Sequence, residues 1–398
     1  MSTHVFSTSD DCFHALSQLG RIARARALDT ERLRTLHPEV VEALRASNLL
    51  GIAAPREVGG SGCDPLTQLE VYEATARHDS SAGWALMISA TLAAFAGAYL
   101  DESAAAHVFE GKSIPPFAGH LSPSGVATEV SGGYRVRGRW PFASGIPHAR
   151  WVYATAFVGA PPKPDDTTLP EMISFVVPIG DATIDDTWHS AGLRGSGSHH
   201  FRIEEAFVPS GFAFPFPLAP AHRGEAFHRL PIMAVVTPGH VGFALGAARA
   251  ALDALSESVP TRVRMWSRIP VLQHASFHTS LGRAVAQLAA ARAYAVSVIR
   301  QLDAIAHRDG APTMDEWSSI RTVVAHVTDV ATDVARFAFH AGGSGALFDE
   351  SPLQRSLRDL LAASQHVSAT EEAYELAGQI HLGIAGRHPL LASLTDAR

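Results

Sequence analysis

The 398-residue sequence is poor in cysteine and in charge. Its two cysteines, Cys12 and Cys63, are too few for a disulfide framework and lack metal-ligand spacing, so a reducing cytoplasm is expected. Charged residues make up only 18% of the chain and the formal net charge is -7; with no basic run interleaved with aromatics, this argues against a nucleic-acid footprint. A strand-to-helix G-x-G-x-x-G followed by an acidic residue is also missing. GLRGSGS (192 to 198) sits among strand formers and GHVGFALG (239 to 246) in a helical pattern, so the chain is not expected to bind NAD(P)H itself. No basic region leading into an apolar stretch opens the sequence, and no signal peptide is expected. The most apolar segment, 81 to 100, approaches membrane-spanning length but is rich in Ala, Gly, Ser and Thr and has no basic flank. It reads as a buried helix, with no membrane implied.

Apolar residues reach 46%, enough for a large core, partly buried against copies of the same chain. Three blocks follow one another. From 14 to 112 the pattern is helical, with Leu33, Leu36, Val40 and Leu44 at three- and four-residue spacing and a Gly/Pro-rich loop at 51 to 62. From 113 to 218 short β-rich runs take over: ATEVSGGYRVRGRW with its Gly-Gly turn signal, then WVYATAFV, MISFVVPI and HHFRIEEAFVPS. From 230 onward four long Ala-rich helical patterns return, the last running unbroken from 351 to 380. The expected organisation is a helical domain (1–112), a central β-domain (113–218) and a helical bundle (219–398).

Within that order, GGYRVRGRWPFASG (132 to 145), GLRGSGSHHFRIEEAFVP (192 to 209) and FHAGGSGALFDESPLQRSLRD (339 to 359) together resemble the acyl-CoA dehydrogenase superfamily. The resemblance implies a mainly α fold with a β-barrel-like middle domain and a C-terminal four-helix bundle, a homotetramer, and a flavin between sheet and bundle. It places Phe142, Ala143, Ser144 and Gly145 along one edge of the isoalloxazine, with Ser144 near N5. Gly195, Ser196, Gly197 and Ser198 approach from the next strand, and Gly342 and Gly343 belong to the same cofactor site. Glycine suits such places because it lets backbone N–H groups come close to a planar ligand.

Two branches of the superfamily differ in their base. Where many dehydrogenase members have a glutamate nine residues after the aspartate of an Arg-Asp pair, here Arg358-Asp359, this chain has Ser368, and a hydroxyl cannot act as base at neutral pH. Glu371, Glu372 and Glu375, farther along the same helical pattern, keep a dehydrogenase open as the alternative, and a non-catalytic ligand-binding protein is a third reading. The flavin-dependent monooxygenase branch is more similar: its phenol hydroxylases carry a histidine where His366 stands and a flavin-facing serine where Ser144 stands. That resemblance implies the oxygenase component of a two-component enzyme. Reduced FMN, or FAD as the alternative, would diffuse from a separate reductase and react with O2 to give a C4a-hydroperoxyflavin, guarded by Ser144. His366 would take a proton from a small aromatic or heteroaromatic substrate.

Trp84 falls where this branch has an aromatic near flavin or substrate, and His120 is a candidate for the rim of the substrate opening. Arg264, with Trp266 in TRVRMWSR, begins a region expected to be helical and, by resemblance, to reach a neighbour's flavin phosphate; Arg262 and Arg268 are alternatives. His199 and His200 are adjacent on a strand and so face opposite ways, and no metal is expected.

Overall fold

The computed structural model describes residues 9–384 except 112, 164–169, 218–219, 264–265, 267 and 309–310. Five helices come first: α1 (Ser9–Leu33), α2 (Pro38–Ala46), α3 (Pro65–His78), α4 (Ser80–Tyr99) and α5 (Glu102–Val108). Their starts are written in the sequence. Asp64, with Pro65 after it, accepts the amides of Leu66 and Thr67 to start α3, and Asp79 accepts that of Ala82 to start α4. Over their most apolar windows α4 and α6 (Ile232–Ser258) are 89% and 83% buried, so two helices long enough to cross a membrane instead fill the core.

The centre is a seven-stranded sheet of order β5-β6-β2-β1-β3-β4-β7. Its strands are β1 (Phe117–Val130), β2 (Gly133–Ala143), β3 (Trp151–Val158), β4 (Met172–Pro178), β5 (Thr183–Asp185), β6 (His199–Pro209) and β7 (Ala213–Phe216). β1 and β2 form a hairpin in which Val130 pairs with Gly133 across Ser131-Gly132, with Gly132 at φ 84°. β1 and β3 are parallel and the other pairs antiparallel. The hydrogen-bonded order runs from β5 to β7, and side chains of β1, β2, β3, β4 and β6 close on one shared core, as a barrel-like middle domain requires. β3 shows why its sequence is apolar throughout: Trp151 and Tyr153 enter the helical core, while Val152, Ala154 and Ala156 enter a second core under the sheet.

The C-terminal helices are α6, α7 (Ala275–Ala306), α8 (Met314–Gly342), α9 (Pro352–Ala363) and α10 (Glu372–His381). α6 lies hard against α3: a Cβ at Gly246 would stand 2.1 Å from the Glu73 carbonyl, and one at Gly242 2.6 Å from that of Leu69. Only glycine permits that approach. The long helix expected from 351 to 380 is broken. α9 stops at Ala363, a turn carries His366, and α10 starts six residues later at Glu372. Apolar periodicity continues across the break and hides it, while the Ser and Thr residues there compete for backbone hydrogen bonds.

Candidate active site

The site grows from the end of β2. Trp140 pairs with Phe201 and Ala143 with His199, so three steps on β2 face two on β6: a one-residue bulge. Pro141, which has no N–H to give a ladder, lies inside it. Trp140 turns inward, stacks on Phe201 at 5.2 Å and donates its indole N–H to the Thr155 carbonyl. Phe142 is thrown outward. It holds φ at 58°, a conformation that costs an L side chain energy, is 58% exposed, and makes T-shaped ring contacts with His200 and Trp188. Of the aromatics in this stretch, Trp140 and Trp151 are core; Phe142 is the one left to face a ligand.

Past the bulge, Ala143 and Ser144 are buried, and the Gly145 amide donates to the Ser196 carbonyl at 2.8 Å. Three hydroxyls form a buried chain, Ser144 to Ser198 at 2.7 Å and Ser198 to Ser196 at 2.6 Å, and the Trp84 indole N–H donates to Ser144 Oγ at 3.0 Å. A serine oxygen accepts twice and donates once. Trp84 fills one lone pair of Ser144; when Ser198 donates as well, both are filled and the Ser144 O–H is left over. A free hydroxyl proton is what an acceptor on a bound flavin ring needs, and beside it Phe142 is exposed and a Cβ at Gly145 would meet only Ala85 at 4.0 Å, so the residues present fit that group.

His366 lies in the turn after α9, not on the helix where it was expected, and is half-buried. Its Nδ1 is 3.1 Å from Nε2 of His240 on α6, and the amide of Ser368 points at the same Nδ1 at 3.2 Å. Trp84 stands edge-on to both rings, at centroid distances of 5.7 and 5.8 Å, and to Phe243 at 4.9 Å. One indole thus joins the serine chain to the imidazoles. His120 sits on β1 just before a bulge and is half-buried; burial, then the neighbouring His200, push its pKa down to about 4. Burial pushes His240 to about 4, and burial followed by repulsion from His240 and His120 holds His366 well below the usual 6.5. All three rings are neutral at pH 7.

The Arg-Asp pair supports the serine loop. Asp359 accepts the Leu193 amide at 2.6 Å, Arg358 donates to the Ala191 carbonyl at 2.7 Å, and a Cβ on Gly192 would overlap the Arg358 carbonyl. Gly195 packs against Thr30 and Ser81 as closely, and Gly197 holds φ at 58° beside Thr35.

Several expectations change. Glu371, Glu372 and Glu375 are exposed at and along α10, a separate helix from the one that carries the Arg-Asp pair. Among the described residues between α6 and α7 there are only single 3-10 turns, at Val259–Thr261 and Val271–Gln273, and a bridge from Val263 to Pro270; α7 begins at Ala275, and the prolines at 260 and 270 oppose an earlier start. Arg264 lies outside the described residues; Trp266 is 93% exposed, and Arg262 donates to the Ala341 carbonyl beside Gly343, where α8 ends. Gly342 is buried against Leu353 and serves that helix end. His199 is buried, its Nδ1 accepting the amides of Thr187 and Trp188, while half-buried His200 faces Phe142. Cavities of about 320 and 420 Å³ lie elsewhere, around Arg56, Cys63 and Glu225 and around Arg24, His78 and Asp253. Sequence reading missed His240. Its signal was a lone histidine two residues after a proline in an apolar helix.

Residues 20–101 match the acyl-CoA dehydrogenase N-terminal domain and residues 239–371 the acyl-CoA dehydrogenase C-terminal domain. An indole-3-acetate monooxygenase of Pseudomonas putida is 30% identical over 90% of both chains. The oxygenase component of an FADH2-dependent resorcinol hydroxylase from a Rhizobium species is 27% identical over 92% of this chain and 94% of its own. The solved structure of XiaF from a Streptomyces species, in complex with FADH2 and glycerol, superposes with a TM-score of 0.86 at 25% identity, covering 96% of this chain and 97% of that one. The chain belongs to the acyl-CoA dehydrogenase superfamily and, within it, to the flavin-dependent monooxygenases, as an oxygenase component.

Proposed function

We propose that the chain hydroxylates a small, neutral aromatic or heteroaromatic molecule, with Ser144 on the flavin side and His366 on the substrate side of one pocket. The observation that carries this reading is that Trp84 touches both, hydrogen-bonded to Ser144 and edge-on to His366. A bound reduced flavin supplies activated oxygen drawn from O2. The protein supplies the rest. Phe142 and Gly145 form a wall for a flat ring, while Gly195 and Gly197, packed against Thr30, Ser81 and Thr35, hold the serine loop behind it, and the Ser144 hydroxyl is the group offered to the ring. Trp84, Phe243 and the neutral imidazoles keep water out.

His366 is a weak base. A phenol near pKa 10 giving its proton to an imidazole at 6.5 is uphill by roughly 5 kcal/mol, and the depressed pKa adds to that. The proton therefore moves as oxygen transfer proceeds, not before it. A phenolic O–H or indole N–H suits this arrangement.

The reduced flavin comes from a separate reductase. FMN was expected from the sequence, while the FADH2 named for both the Rhizobium and Streptomyces relatives favours FAD. The exposed apolar side chains of Val263, Trp266, Ile269, Leu272, Leu347 and Phe348 support assembly of copies, as a homotetramer. Two cysteines without a disulfide framework suit the cytoplasm.

The test is to mix protein anaerobically with reduced FMN or FAD, then add oxygenated buffer with phenols and indoles. Hydroxylated product above the flavin-only control supports the reading. Free hydrogen peroxide alone, across the panel and with both flavins, overturns it. Mass by light scattering tests the tetramer.

A further inference from the structure

Nδ1 of His366 is claimed by two neighbours with opposite demands. The Ser368 amide, at 3.2 Å, can only donate, and asks for a bare nitrogen. His240 asks for the reverse. Its own Nδ1 is 3.0 Å from the Val236 carbonyl, which can only accept, so the His240 proton sits on Nδ1 and Nε2 carries a lone pair. That lone pair faces His366 Nδ1 at 3.1 Å, and the contact becomes a hydrogen bond only if His366 is protonated there. A bare Nδ1 would keep the Ser368 bond and set two lone pairs against each other; a protonated Nδ1 gives up that bond, the longer of the two contacts, and gains the one to His240. Burial keeps His240 neutral, so the alternative of a proton on both of its nitrogens is disfavoured.

We propose that His240 is a positioning residue that selects the Nδ1–H tautomer of His366 and thereby leaves Nε2 as the proton-accepting atom. Nε2 has no protein partner among the described residues. Without His240 the Ser368 amide selects the other tautomer, whose Nε2 already carries a proton and cannot accept one. The logic is that of any base oriented by a third group. Here the third group is a neutral imidazole, held by a back-bond to its own helix two residues after Pro238, where the helix already lacks one amide donor. The ionisable neighbour from the sheet is His120 on β1; α4 contributes Trp84, which does not titrate in this range.

The inference takes the role of His366 from the function proposed above, but its first test does not depend on that role. Whole protein labelled with [15N]histidine gives the tautomer of each ring from its two nitrogen shifts, with His366 assigned by its loss in His366→Gln. Wild type is expected to show a protonated Nδ1 and a bare Nε2. His240→Phe, which has no acceptor, is expected to move the proton to Nε2. His240→Gln, whose amide reaches the Nε2 position of the histidine, is expected to restore it. In turnover with reduced flavin and an aromatic substrate, product per flavin oxidised should fall about tenfold to a hundredfold in His240→Phe and recover in His240→Gln. A bare Nδ1 in wild type, or a tautomer unchanged in His240→Phe, overturns the proposal. The expected tautomers together with no hydroxylation of any aromatic by wild type would leave it standing and remove the proposed function instead.

Discussion

The carboxylate of Asp359 accepts the backbone N–H of Leu193 at 2.6 Å, and this contact ties α9 to the loop that carries Ser196 and Ser198. Leu193 itself holds φ at 51°, so the loop does not reach this shape by preference. Asp359→Ala leaves a buried amide unpaired and is expected to cost about 1–3 kcal/mol in urea unfolding, whereas Asp359→Asn keeps the accepting oxygen and most of the stability. Equal losses in the two variants would show that the contact holds nothing.

Asp359 and Asp79 are also buried carboxyls. Desolvation first, and for Asp359 repulsion from Asp79, push them up to about 7 and about 6 from the ordinary 3.8, against the pull of Arg355. A raised folded-state pKa contributes stability below pH 4 that is lost as pH rises through 6 and 7. The depressed imidazoles work oppositely: their contribution is present above 6.5 and lost as pH falls towards 4. Because the windows overlap, the measurement is a difference. The melting temperature of Asp359→Asn minus that of wild type should rise between pH 5 and 7.5, and a flat difference would contradict the shift.

Local chemistry made much of this legible in sequence. Three- and four-residue apolar spacing gave the helical blocks, the Gly-Gly signal gave the hairpin, and Ser144 and His366 could be picked out by their places in motifs. What stayed hidden depends on contacts between distant segments. The break at 364 to 371 follows an apolar stripe that does not change, and the bulge that expels Phe142 exists only relative to β6. His240 and Ser368 take on meaning only beside His366, and 126 residues separate the two histidines.

The serine chain sets a direction. If Ser198 donates into Ser144, then Ser198→Ala frees a lone pair on Ser144 and lets its O–H turn back into the protein. We expect flavin oxidation to continue in Ser198→Ala, with product per flavin falling by up to about tenfold, the worth of one ordinary hydrogen bond. Ser144→Ala should fall at least as far. A Ser198→Ala enzyme fully coupled while Ser144→Ala is impaired would mean that the chain does not orient the hydroxyl.

His366 must be neutral to accept a proton, and burial with two neighbouring imidazoles holds its pKa well below 6.5. The acid limb of kcat/KM for hydroxylation should therefore fall below pH 6.5, with activity persisting into mildly acidic buffer. His366→Ala should continue to oxidise flavin and lose hydroxylation of phenols. An acid limb at or above 6.5 in wild type would indicate a base in a wetter setting than this one.

Phe142 sets stability against function at one residue. Its φ of 58° costs a non-glycine residue about 1–2 kcal/mol, and its ring, 58% exposed, recovers little through T-shaped contacts with His200 and Trp188. Glycine adopts that backbone without strain, at an entropic cost of roughly 0.5–1 kcal/mol. In the absence of flavin, Phe142→Gly should thus unfold at the same temperature as wild type or slightly higher, although it deletes an aromatic ring. In the presence of flavin the order should reverse, because the wall against which a flat ring lies is gone, and titration should show weaker binding. A variant that is markedly less stable without flavin and binds it as well as wild type would mean that Phe142 is held out by packing, and that the bulge serves the sheet and not the ligand.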